Sequence, residues 1–241
     1  MTDDSQIIEK LDTLAGDYEI ESIENVLKHV ENLNLEELAP NLKVAVLRRK
    51  AEWLYALSNH EEDKKKRYEL LENAYNSALS AHSIDESDFD AIKVLCSTSG
   101  RLAEESGIQK KIHFGFLFKG YLDKAIALND NDFETLHMRG RFSYTVSSLS
   151  MVERIAAKVI GKIPETSYQE ALQDLLKADK ITPDVAENQL FVGKTYLALG
   201  DLPNAKIWLK MAAENESEGC VEEELVEEAK EILKDKKFAK I

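Results

Sequence analysis

The sequence predicts an all-α fold, a superhelix of stacked helical hairpins, on three observations. Between Ala186 and Ala213, Gly193 is followed by Tyr196, Gly200, Ala205 and Ala212 at offsets of 3, 7, 12 and 19. Antiparallel helices that pack backbone against backbone need small residues where they cross, and a glycine where the chain turns. Leu190, Val192, Leu197 and Leu209 add helical periodicity to the same stretch. Finally, the chain has only 4 Pro and 10 Gly, with 44% hydrophobic and 32% charged residues, the balance of helices with one wet face.

Taken in order, Ile7, Ile8, Leu11 and Leu14 share one helical face until Gly16 breaks it. Ile20, Ile23, Val26, Leu27 and Val30 make a second amphipathic helix. Pro40 opens a third, carrying Val44, Leu47, Ala51, Leu54 and Leu57 with Trp53 and Tyr55 alongside. These three form an N-terminal cap over 1–60. Residues 61–241 read as tetratricopeptide-like repeats in one continuous domain with it, because no Gly/Ser/Pro-rich linker intervenes. A helix from Lys64 places Ala74 and Ala81 where Ala205 and Ala212 fall in the last unit. Further hairpins start at 89, 133 and 186, so 44 and 53 residues apart, against a usual period of about 34. Gly140 repeats the role of Gly193, but 31 residues separate it from Ala171 where 12 separate Gly193 from Ala205. An insertion around 149–167 holds the excess, with Val152, Ile155 and Val159 expected on its buried face. Val221 to Lys236 closes the array as a capping helix, Glu-rich on its outer side.

The formal charge of −14 argues against a nucleic-acid partner. Cys96 and Cys220, far apart and without metal spacing, fit a reducing compartment. The acidic start, Met1-Thr2-Asp3-Asp4, has no apolar run behind it and predicts no leader peptide. No apolar run is long enough for a membrane span. Ala239-Lys240-Ile241 reads as a frayed helix end, and Asn215-Glu216-Ser217 as an unused glycosylation sequon. The five histidines are scattered. Gly115 and Gly120 have phosphate-loop spacing, but Tyr121 follows where lysine is required. No enzyme and no cofactor are expected.

Several segments run in a familiar order: Gly140-Arg141-Phe142-Ser143-Tyr144-Thr145-Val146, Glu153-Arg154, Gly161-Lys162-Ile163-Pro164, and Thr166 to Leu172. With Gly193-Lys194 and Ala205 to Leu209, they resemble the regulator of microtubule dynamics family, the pattern looking nearest its soluble nematode member. The resemblance covers roughly 68–233; Phe142 and Met151 stand where members often carry tryptophan. It implies a cytoplasmic, tetratricopeptide-like protein that associates with microtubules and acts at the mitotic spindle and its poles in chromosome segregation. Some relatives carry an N-terminal membrane anchor and a lipid-binding repeat domain. The anchor is not expected here.

The first helix of each hairpin lines the groove, which selects Lys93 and Arg101, then His137, Arg141 and Tyr144, then Leu190 and Lys194. Arg154 and Lys158, four apart in the insertion, share a helical face. This groove is expected to be basic and to meet acidic tubulin surfaces, with other spindle proteins or an anionic lipid as further partners. Two roles stay open for Arg141 and Arg154: binding, or pairing with Glu134, Glu153 or Glu170 as scaffold. The alternatives for the groove are an anionic-lipid module, with Phe191 among the tail contacts, and a peptide-binding adaptor. Ser97 and Met138 stand where a carboxylate clamp for chaperone tails needs asparagine, which disfavours that ligand. Lys64 to Arg67 and Lys110-Lys111 read as solvated helix surface.

Overall fold

The computed structural model describes residues 3–16, 19–160, 162–216 and 220–238, leaving the side chains of 3–5 and 160 aside. Met1-Thr2, Gly161, Ser217 and Ala239-Lys240-Ile241, used above, lie outside the described residues. Every regular element among the described residues is helical. The chain divides into two compact units, Met1–Lys124 and Ala125–Ile241.

The first unit holds α1 (Asp3–Ala15), α2 (Ile20–Glu31), α3 (Pro40–His60), α4 (Lys64–Ile84), α5 (Phe89–Glu104) and most of α6 (Ile108–Leu128). Gly16, at φ +53°, ends α1 in a conformation that side chains with a Cβ disfavour. Pro40 sits in the first turn of α3, where its missing N–H costs nothing. Asp63 accepts from the Lys65 and Lys66 amides and Asp88 from the Ala91 amide, capping α4 and α5. Leu11, Ile23, Val26, Val30, Leu42, Val46, Trp53 and Leu54 form one core that reaches Ala74 of α4. Residues 1–60 thus share a core with α4, and the division between units falls within α6.

Two expectations fail here. Ile20 is 44% exposed. Arg67 is buried, with Nε 3.2 Å from a Glu105 carboxylate oxygen and Nη1 donating to the Glu61 carbonyl at 3.4 Å. A basic run of four spans more than one helical turn, so one member necessarily points inward.

The second unit continues with α7 (Phe133–Ser147), α8 (Met151–Ile160), α9 (Tyr168–Ile181), α10 (Ala186–Ala198), α11 (Leu202–Glu214), α12 (Cys220–Leu233) and a 3-10 turn over Lys236–Phe238. It contains the two predicted hairpins, α7 with α9 and α10 with α11. A Cβ at Gly140 would stand 2.6 Å from Leu175 Cγ, and one at Gly193 2.8 Å from Leu209 Cγ. The glycines are therefore what lets each helix pair close. Gly200, at φ +80°, makes the second turn, and Asp201 accepts from the Asn204 amide to start α11. Ser167 and Glu170 form a capping box on α9. Val221, Val226 and Ala229 bury one side of α12.

The insertion contains α8, but its orientation reverses the expectation. Val152 is 69%, Ile155 63% and Val159 85% exposed, and Met151 beside them 74%. Arg154 is the cause: Nε donates to the Leu149 carbonyl, and Nη2 to those of Val146 and Ser147. That clasp on the C-terminal end of α7 turns Ala157, 6% exposed, toward the protein and the branched side chains away. Periodicity reveals an amphipathic helix without saying which face meets its own chain.

Candidate functional site

The densest gathering of predicted site residues lies in the second unit, where α7 and α10 each contribute one face. Helical spacing puts His137, Arg141 and Tyr144 on successive turns of α7, and Glu187, Phe191 and Lys194 on successive turns of α10. Phe191 is the centre. Arg141 Cζ stands 4.7 Å and Lys194 Nζ 4.8 Å from its ring centroid. Tyr144 meets it edge-on at 5.6 Å, and Tyr168 of α9 lies 5.6 Å from Tyr144. Such cation–ring contacts contribute about 0.5–2 kcal/mol, more as water is excluded. Burial raises the Tyr144 phenol above its usual range, keeping it a neutral donor.

Each cation also meets a carboxylate. Arg141 Nη1 lies 2.7 Å from Glu187 Oε1, and Lys194 Nζ 2.6 Å from Glu228 Oε1 on α12. His137, buried and stacked on Phe133, places Nδ1 2.9 Å from Asn188 Oδ1 and Nε2 3.2 Å from Glu187 Oε2. The site therefore combines two cations, two anions and an aromatic floor, rather than an unbalanced positive patch. Its freest member is Glu228, whose side chain is 43% exposed, against 18% for Arg141 and for Lys194.

The other predicted residues stand apart from this cluster. Lys93 lies over the Phe89 ring at 5.3 Å and 4.0 Å from Asp90, and Arg101 pairs with Glu104 at 3.2 Å, all on α5 of the first unit. Arg154 is committed to the carbonyls at the end of α7, and donates to them rather than to Glu134, Glu153 or Glu170. Lys158 is exposed on α8. Leu190, placed in the groove by the repeat template, is fully buried with Ala205 and Leu209 instead, and its neighbour Phe191 faces the cations. Glu187 and Glu228 were missed. Glu187 had a signal, since it stands four residues before Phe191 and seven before Lys194. Glu228 had none, because only the packing of α12 brings it to Lys194.

No helix of the described residues is long and apolar enough to cross a membrane, and no three His, Cys, Asp or Glu side chains among them gather as a metal site.

Comparison with known proteins covers the same stretch of chain. The family described as regulator of microtubule dynamics protein 1-3 matches residues 7–237. Regulator of microtubule dynamics protein 1 of Caenorhabditis elegans is 30% identical over 208 residues, covering 86% of this chain and 92% of that protein. Regulator of microtubule dynamics protein 3 of Xenopus laevis is 38% identical over 150 residues, 58% of this chain. The human protein 2 is 34% identical over 161 residues, 66% of this chain. The match spans only 32% of the Xenopus relative's length and 38% of the human one's. Among solved structures, the chain is similar to the MamA protein, at 17% identity and a TM-score of 0.47 over 89% of this chain and 92% of that one. With its family pattern matched from Ile7 to Lys237, this chain belongs to the regulator of microtubule dynamics protein 1-3 family.

Proposed function

We propose that this chain is a microtubule-associated binding protein of the mitotic spindle and its poles, serving chromosome segregation, with Arg141 and Lys194 as its contacts to acidic tubulin surfaces. Family membership supports the microtubule part, since the matched relatives are named regulators of microtubule dynamics. The observation that carries the site is the pair of cations held on one ring, Phe191, at 4.7 and 4.8 Å. An acidic segment binds here by exchange: its carboxylate replaces Glu228 at Lys194, while Phe191 keeps the ammonium in place. Because the chain carries −14, long-range approach to an acidic filament is repulsive, and attraction is confined to the site.

Co-sedimentation with microtubules tests this. Arg141→Gln with Lys194→Gln weakens pelleting about tenfold, as loss of two charge-assisted contacts predicts. Glu228→Gln strengthens it, because the internal competitor is gone. Pelleting also falls with added salt and with removal of the acidic tubulin tails. Equal pelleting of the folded double variant overturns the site. Binding to anionic vesicles or to a free peptide, with no pelleting, favours the lipid or adaptor alternative.

A further inference from the structure

We infer that α8 is a docking helix whose outward apolar face enters a groove on an acidic protein partner; resting on the reading above, that partner is the microtubule lattice. The helix is specified by its own sequence. Ser150 Oγ accepts from the Glu153 amide at 3.3 Å, while Glu153 Oε2 accepts from the Ser150 amide at 2.9 Å, a capping box. Arg154 then fixes its rotation through three backbone carbonyls of the preceding turn. The face so presented is a stripe of Met151, Ile155 and Val159, four residues apart, flanked by Val152, all between 63% and 85% exposed. This spacing of anchors is how an amphipathic helix fills an apolar groove.

Charge selects the occupant. Lys158, exposed three residues after Ile155, edges the stripe, and Lys162, with a side chain 88% exposed, comes just after it. Glu153 is on the far side, bonded to Ser150. Whereas Arg141 and Lys194 are met by internal carboxylates and Lys162 lies 3.9 Å from Glu165, Lys158 stands exposed beside the apolar surface, which suits a groove with a carboxylate on its rim. A second copy fits poorly. Four aliphatic side chains fall short of the ~800 Å² per partner of a stable dimer, and each copy brings a charge of −14. An anionic lipid surface fits poorly as well, because α8 lacks the Trp, Phe and Leu of interfacial helices.

The test is the triple variant Met151→Ser, Ile155→Ser, Val159→Ser, whose exposed positions leave the thermal melt unchanged. Its microtubule affinity drops at least about tenfold. The loss persists at high salt and on microtubules without acidic tails, because the contact is apolar. Lys158→Gln costs about twofold and lowers the salt dependence. A folded triple variant that pellets like the wild type overturns the α8 proposal and leaves the reading above standing. Wild type that fails to pellet at any salt overturns both. Loss of self-association in the variant, seen by sedimentation velocity, or loss of binding to phosphatidylserine vesicles, assigns the face to another occupant and overturns it too.

Discussion

Arg141 and Asp179 show how burial and partner choice decide what a charged side chain does. Arg141 holds Glu187 at 2.7 Å with less than a fifth of its side chain in water, so its charge is balanced before any partner arrives. Asp179, half-buried on α9, has the opposite problem. Loss of water raises its carboxyl above the usual range, and nearby Asp184 adds to this, while Oδ1 has no hydrogen-bond partner among the described residues. A raised folded value means the native state holds the proton more tightly than the unfolded chain. Stability therefore falls as pH rises from about 4 through the folded value, and the penalty is full at neutrality. Asp179→Asn is expected to stabilise the protein at pH 7, with the gain fading at acid pH. Melting curves across pH check this; a gain that stays constant into acid contradicts the assignment. Residue types and spacing singled out Arg141, Tyr144 and Lys194, which the structure gathers around Phe191. Spacing also put Glu187 on the face of Phe191 and Lys194, but its pairing with Arg141, like that of Glu228 with Lys194, depends on how separate helices stack.

Helical hairpins were legible because their requirements are local. A glycine at the crossing and an alanine on the facing helix recur in both hairpins, 12 residues apart in the last and 31 apart in the one before it, and Gly140 and Gly193 prove to be points of close approach. Substitution by alanine separates this role from helix propensity. At Gly115 and Gly120 of α6 a Cβ meets nothing within 4 Å, so alanine gains about 0.5–1 kcal/mol. At Gly193 a Cβ would lie 2.8 Å from Leu209 Cγ and 3.0 Å from its backbone nitrogen, so alanine forces the helices apart. The net cost there is about 1–3 kcal/mol, enough to lower the melting temperature by several degrees. If Gly193→Ala and Gly115→Ala shift it in the same direction, the close-packed crossing is wrong. The rotation of α8 was not legible for the reason its helicity was. Ser150 and Glu153 announce the start, but Arg154 reaching back to carbonyls at and just beyond the end of α7 is a contact that helical periodicity does not encode.

Charge is the property of the whole molecule that bears on both folding and binding, with opposite signs for added salt. At −14 the folded chain repels itself, and screening relieves that repulsion as the Debye length falls from about 30 Å at 0.01 M to about 8 Å at 0.15 M. Salt also weakens the exposed ion pairs, such as Lys162–Glu165 and Lys65–Glu69 at 3.9 Å each, but such pairs are worth only about 0–1 kcal/mol. Self-repulsion is the larger effect, so the melting temperature is expected to rise by a few degrees over this range. Microtubule pelleting through Lys194 and Arg141 is expected to fall over the same range, since it depends on cations meeting carboxylates. Loss of pelleting at high salt then cannot come from unfolding, because the protein is more stable where it binds less. Differential scanning fluorimetry and pelleting on the same samples decide the matter. A melting temperature that falls together with binding shows that internal ion pairs outweigh net repulsion, and that the charge argument for a local contact has been drawn with the wrong sign.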